Sequence, residues 1–310
     1  MRGFVAPTDH GWYQFLRARP EIEEVNFWRP GGGSFAALSP GEPFFFKLKA
    51  PHNAIGGFGQ FARFARLPLW MAWDIFGHAN GVESLEGLRT RVAGLASPTS
   101  ANFDPDQEIG CISIAFPTFF APDSWVAVPA DWKQNIVSGR SYDLQVQPGR
   151  ALWRECTEQA VAQSATVDPW TMEAAEHARY GAPTFVQPRL GQSSFRLAVL
   201  DAYGSACAVT TEHSLPVLDA AHIRPYAAGG KHEVSNGLPL RRDLHRLFDL
   251  GYVTVRSDRR FAVSGRLRDE YANGRVYYEL EGREIVLPDR RLDQPDRDAL
   301  EWHGDVIFRG

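Results

Sequence analysis

Apolar residues alternate with turn signals through the first half of the chain, in short runs rich in aromatic side chains. Pro43-Phe-Phe-Phe-Lys-Leu-Lys49, Ala54-Ile-Gly-Gly-Phe-Gly-Gln-Phe61, Gly110-Cys-Ile-Ser-Ile-Ala-Phe116 and Trp125-Val-Ala-Val128 are separated by breaks such as Arg29-Pro-Gly-Gly-Gly33 and Ser39-Pro-Gly41. Runs of this length between Gly and Pro breaks predict strands of a small barrel or sandwich rather than βαβ units. One helix is expected at Pro68 to Gly77, where Leu69, Trp73 and Phe76 recur at helical spacing. From about 150 to 178 the composition turns helical, in Ala151 to Gln163 and again in Pro169 to His177, and Tyr180 to Arg189 is punctuated by proline. This stretch reads as a connector. A second domain begins at Phe195.

The later pattern differs. Val217 to Ile223 is short, apolar and strand-like, and it stops at Arg224-Pro225. A glycine turn and a second short segment follow. Arg241 to Leu250 then places Leu244, Leu247 and Phe248 on one helical face, and Gly251 stands where a C-capping glycine belongs. The predicted order is strand, loop, strand, helix.

A chain of 310 residues suits two domains. The hydrophobic fraction of 44% and charged fraction of 23% are those of a globular protein. No run approaches the ~18–20 apolar residues of a membrane helix, and the first residues lack the apolar core of a signal peptide, so a cytoplasmic location is expected. Cys111, Cys156 and Cys207 form no CxxC pair, which points away from both a disulfide framework and a cysteine-rich zinc site. The net charge of −4 argues against nucleic acid, but its distribution does not. Between Ala221 and Arg260 eight Lys or Arg stand against four Asp or Glu, a local excess of four positive charges.

The chemistry-bearing residues lie in that basic stretch. Phosphodiester hydrolysis needs an activated water, stabilisation of phosphate charge and help for the leaving oxygen. A histidine can take a proton from water near neutral pH. An amide side chain can orient that histidine. His222, Asn236 and His245 fit these needs, and His245 and Asp249, four apart on the helix, share a face on which one ion could bind. The basic side chains Arg224, Lys231, Arg241, Arg242 and Arg246 are candidate phosphate contacts. His213 and His232 read as surface histidines.

The motifs Ala220-Ala-His-Ile223, Ser235-Asn-Gly-Leu238 and Leu244-His-Arg-Leu-Phe-Asp249 resemble the HNH endonuclease family. Arg189-Leu-Gly-Gln192, Phe195-Arg196 and Tyr203 are similar to the lead-in of its modification-dependent restriction nucleases. The resemblance covers roughly residues 187 to 255. It implies a ββα-metal fold and a divalent ion, Mg or Mn before Co, Ni or Zn. His222 would be the general base, Asn236 its orienter, His245 a metal ligand and Asp249 a second ligand. Many such sites carry a ligand immediately before the base, where this chain has Ala221. Asp219 is the alternative, although on a regular strand it would point away from His222. The paired CxxC motifs of many relatives are missing.

In the first half, Trp12, Asn26-Phe-Trp28 before a glycine turn, and Leu38 to Lys49 followed by Ile55-Gly-Gly-Phe58 resemble the PUA superfamily, which includes the SRA and EVE readers of modified bases. That likeness implies a small barrel holding a flipped base, with Asn26, Phe27 and Trp28 as pocket residues and Phe44 and Phe46 as core. The combined expectation is an α+β chain: a PUA-like β-barrel reader at 1–147, a helical connector at 148–184 and an HNH nuclease domain at 185–310. Its partner would be double-stranded DNA, modified at a base such as 5-methylcytosine. Since one nuclease site cuts one strand, double-strand cleavage would call for a homodimer. Two rival readings remain: an HNH nuclease indifferent to modification, and a non-catalytic nucleic-acid-binding protein with a degenerate HNH fold.

Overall fold

The computed structural model describes residues 1–30, 33–95, 107–133, 135–164 and 191–310. The chain forms two compact units, Met1–Pro188 and Arg189–Gly310. Among the described residues no helix is long and apolar enough to cross a membrane.

The first unit is built on a seven-stranded mixed sheet of β1 (Arg2–Thr8), β2 (Glu24–Arg29), β3 (Pro43–Leu48), β4 (Ala54–Pro68), β5 (Glu108–Phe119), β6 (Val126–Ala127) and β7 (Arg140–Asp143). The order is β2-β5-β4-β3-β1-β7, with β6 pairing the start of β4. β1 and β3 run parallel and the other pairs antiparallel. The expected barrel is therefore seen as an open path of pairings, with no β2–β7 ladder closing it among the described residues.

All six residues of β3 are buried. A strand covered on both faces reads as a continuous apolar run, which is why Phe44-Phe-Phe46 shows no polar alternation. Successive side chains still point to opposite faces. Phe44 and Phe46 join Trp12, Tyr13 and Leu16 of helix α1 (His10–Arg17) in one core cluster, while Phe45 joins Leu152, Cys156 and Ala160 of helix α4 (Gly149–Ser164) in another. The first helix expected as a connector thus belongs to the core of the first unit. The second expected connector helix, 169–177, and the proline-punctuated stretch 180–189 lie outside the described residues. Helix α2 (Leu69–Phe76) falls inside its expected range, and α3 (Leu85–Leu95) follows it.

The second unit opens with helix α5 (Gln192–Ala202). The hairpin of β8 (Leu218–His222) and β9 (Gly237–Arg241) follows, in the register Leu218↔Arg241 to His222↔Gly237. Helix α6 (Arg242–Asp249) completes the ββα order. Its end is a Schellman cap: Gly251 N–H donates to Phe248 O at 3.0 Å and Tyr252 N–H to Leu247 O at 2.8 Å. Gly251 has φ +76°, and a Cβ there would lie 2.0 Å from Ile307 O. Strands β10 (Val253–Val255) and β11 (Phe261–Val263), short helices α7 (Arg266–Tyr271) and α8 (Arg275–Tyr278), and α9 (Arg297–Val306) follow. His303 of α9 stacks on Phe248 of α6, with centroids 3.6 Å apart.

Candidate active site

His222 ends β8, and its ring lies flat on Phe195 of α5, with centroids 3.9 Å apart and planes 12° from parallel. Its strand partner is Gly237, where a Cβ would lie 2.4 Å from Val199 Cγ2 and 2.9 Å from Phe195 Cζ. Glycine at this position leaves room for the stacked ring. Nε2 of His222 is 3.2 Å from Nδ1 of His232. Burial, then the neighbouring His232 and His245, lowers the His222 pKa to about 4, so the ring is neutral at pH 7 with a lone pair available.

His245, one turn into α6, sits between two carboxylates. Its Nδ1 is 3.3 Å from Asp219 Oδ2 and its Nε2 is 3.5 Å from Asp249 Oδ2. Arg196 of α5 approaches the other Asp219 oxygen at 3.2 Å. Burial opposes protonation of His245, but the hydrogen bond to Asp219 and the charges of both carboxylates outweigh it and raise the pKa. For Asp219 burial acts upward, and the bond to His245 with the charge of Arg196 brings the net shift down. Asp249 is raised, chiefly by burial. The sequence reading placed Asp219 only as an alternative ligand facing away from His222; in the fold its carboxylate lies directly on His245.

One imidazole and two carboxylates form a donor set that suits a divalent cation of the Mg, Mn or Zn type. They do not converge on one point, because the two carboxylates meet different ring nitrogens. Among the described residues no group of three or more His, Cys, Asp or Glu is gathered as a metal cage. The three expected ligands are thus neighbours of one another rather than a ready coordination sphere. A cation held by one His245 nitrogen would leave the other to donate to the remaining carboxylate, an arrangement that fixes the tautomer of a liganding histidine.

The Asn236 side chain bonds the loop backbone rather than the His222 ring. It accepts from Arg224 N–H at 2.9 Å and donates to Arg224 O and Lys231 O, each at 2.9 Å. Its amide closes the loop between the strands. Gly230, buried in that loop, would place a Cβ 1.8 Å from Arg224 O.

The five basic candidates separate. Arg241 is bound in two-pronged fashion by Asp243, at 3.0 and 2.5 Å. Arg224 spends its Nε on Ala228 O at 2.7 Å and lies over the Trp302 ring. Both already have a partner within their own loop or helix start. Lys231, Arg242 and Arg246 are exposed. His213 is exposed, as expected, whereas His232 stands against His222 rather than on an open surface. Phe195, Arg196 and His232 are the site residues that sequence reasoning missed. Phe195-Arg196 was visible only as part of a lead-in motif, and His232 carried no signal of its own.

In the first unit Phe27 and Trp28 line a cavity of about 330 Å³, together with Phe4, Pro7, Arg29 and Pro30. Asn26 does not line it. It is fully buried and donates from Nδ2 to Asn80 Oδ1 at 2.8 Å, while Asn80 also receives Trp28 Nε1 on its carbonyl at 2.9 Å. Phe44 and Phe46 are core.

Residues 207–256 match the family model described as HNH endonuclease. This segment runs from Cys207 through β8, β9 and α6 to Arg256, and so contains every residue of the site except Phe195 and Arg196. Among solved structures, a mutant form of the ASCH protein from Zymomonas mobilis is similar at 10% identity and TM-score 0.33, over 52% of this chain and 96% of that one. The modification-dependent TagI restriction endonuclease is similar at 12% identity and TM-score 0.30, over 92% of this chain and 75% of that one. The Type IV phosphorothioation-dependent restriction endonuclease ScoMcrA is similar at 13% identity and TM-score 0.22, over 74% of this chain and 45% of that one. No curated protein matches the chain.

Proposed function

We propose that the chain is a DNA endonuclease in which the second unit hydrolyses phosphodiester bonds and the first reads a modified base. The observation that carries the nuclease reading is the site itself. Within the segment matching the HNH family, a neutral His222 ends one strand, and His245 with its two carboxylates stands on the helix that follows the hairpin.

His222 accepts the proton of the attacking water, as a neutral imidazole can at pH 7. His245 and Asp249 would hold a divalent cation, with Asp219 accepting from the other ring nitrogen. When bound there, it would supply Lewis-acid stabilisation of the phosphate and of the leaving oxygen. Asn236 keeps the loop between β8 and β9 closed. Lys231, Arg242 and Arg246 supply backbone-positioning contacts to phosphates, which carry no sequence information. The reader role rests on the aromatic cavity at Phe4, Phe27 and Trp28. A flipped base loses its stacking, and aromatic faces around a base-sized cavity restore it.

Cleavage of matched DNA duplexes that are unmodified, 5-methylcytosine-containing or 5-hydroxymethylcytosine-containing tests both roles. The assay uses Mg or Mn with the wild type, His222→Ala and Trp28→Ala. Cleavage restricted to one modified duplex, lost in His222→Ala and less discriminating in Trp28→Ala, is expected. Unchanged cleavage by His222→Ala would overturn the mechanism. Equal cleavage of all three duplexes would remove the reader and leave the nuclease.

A further inference from the structure

We propose that His232 is the positioning residue of the general base, holding His222 at Nε2 so that Nδ1 faces the water. The inference rests on the nuclease reading of His222 given above, and its geometry comes from the loop between β8 and β9. Nε2 of His222 and Nδ1 of His232 are 3.2 Å apart. Phe195 stacks on one face of the His222 ring at 3.9 Å and limits its tilt to that side. The His232 ring is itself framed by Tyr226, with centroids 5.0 Å apart, and by the edge of Phe195 at 5.7 Å.

Only one proton arrangement across this pair leaves a working base. A neutral imidazole carries one N–H and one lone pair. If His232 donated to His222 Nε2, the proton of His222 would sit on Nδ1 and neither nitrogen could accept from water. If His222 donates from Nε2 to Nδ1 of His232, its Nδ1 lone pair is free. His232 then carries its own proton on Nε2. When His222 Nδ1 takes a proton from water, the ring becomes an imidazolium, and its Nε2–H bond to the neutral His232 acceptor becomes charge-assisted and stronger. His232 thereby does for this base what a carboxylate or a carbonyl does for a catalytic histidine elsewhere.

The same geometry explains how Asn236 influences the base without touching it. Its Nδ2 holds Lys231 O at 2.9 Å, one residue before His232. Its other two bonds hold the N–H and carbonyl of Arg224, two residues after His222. Both ends of the His222–His232 contact are therefore fixed by one amide.

The test uses the full chain with ¹⁵N-labelled histidine. Long-range proton–nitrogen correlation spectra report which ring nitrogen carries the proton, and His222→Gln identifies the His222 signal by its loss. In the wild type, His222 is expected as the Nε2–H tautomer. His232→Leu should give a mixture of tautomers and lower kcat by roughly 10–100-fold, the range for outer-shell partners, with KM within about twofold. His232→Asn places its Oδ1 where Nδ1 stood, and should restore the single tautomer and most of kcat. An Nδ1–H tautomer in the wild type would overturn the proposal. So would a tautomer left unchanged in His232→Leu, or an Asn variant no better than Leu. The tautomer readout stands whether or not DNA is cut, so loss of the nuclease reading and loss of this proposal are separate results.

Discussion

Replacing Asn236 by aspartate keeps the shape of the side chain and reverses two of its three hydrogen bonds. In the native loop the Oδ1 atom accepts from Arg224 N–H, and Nδ2 donates to Arg224 O and to Lys231 O, all at 2.9 Å. Asn236→Ala removes three bonds at about 1 kcal/mol each, so a loss of roughly 2–4 kcal/mol is expected. Asn236→Asp keeps one bond but turns a carboxylate oxygen toward two carbonyl oxygens in a residue only 6% exposed. Burying an acceptor against acceptors costs more than leaving the groups unpaired. The aspartate variant should therefore be less stable than the alanine variant at pH 7, despite its closer shape. Urea unfolding at fixed protein concentration measures both, and amide exchange in residues 224–231 localises the effect. If Asn236→Asp unfolds at the wild-type midpoint, or exchange in that loop is unchanged in Asn236→Ala, the loop-closing role is wrong.

Gly237→Ala should drive its new methyl against Val199 Cγ2 and Phe195 Cζ, which lie 2.4 and 2.9 Å from the Cβ position. A loss of about 1–3 kcal/mol in urea unfolding is expected for such overpacking, with cleavage falling further than stability because Phe195 is pushed off His222. Full cleavage by this variant would show that the stack is dispensable. His303 is 2% exposed, bonded to Thr254 Oγ1 at 2.9 Å and to Phe248 O at 3.2 Å, and burial lowers its pKa to about 4. The unfolded chain binds this proton near pH 6.5 and the folded one does not, so the stabilisation is complete above pH 6.5 and is lost as pH falls toward 4. The change should approach about 3 kcal/mol at 1.36 kcal/mol per pH unit. Unfolding midpoints of wild type and His303→Leu across pH 4–7 should converge at the acid end; parallel curves would refute it.

The ββα order was legible because each of its elements is short and marked locally. Val217 to Ile223 is an apolar run closed by Arg224-Pro225, Gly229-Gly230 makes the turn, and Gly251 caps the helix. His245 and Asp249 share a face through helical spacing alone. Local spacing does not say which distant side chains meet. His232 looked like any loop histidine until the hairpin brought it to 3.2 Å from His222. Strand alternation turned Asp219 away from His222 but could not say that its carboxylate reaches His245 and Arg196. Arg241 looked free in sequence and is occupied by Asp243 two residues on.

The same division holds in the first unit. Aromatic runs between Gly and Pro breaks determined that strands would form. Only the packed sheet decided that Phe45 faces Leu152 and Cys156 of α4 while its neighbours face α1, which makes part of the expected connector core. It also took Asn26 out of the cavity and into a buried bond with Asn80, and left Phe27 and Trp28 lining it. Periodicity, turn chemistry and capping act over a few residues and are written along the chain. The identity of a histidine's neighbours, the carboxylate that claims an arginine and the strand face that a helix covers depend on segments far apart in sequence, and only their packing sets them.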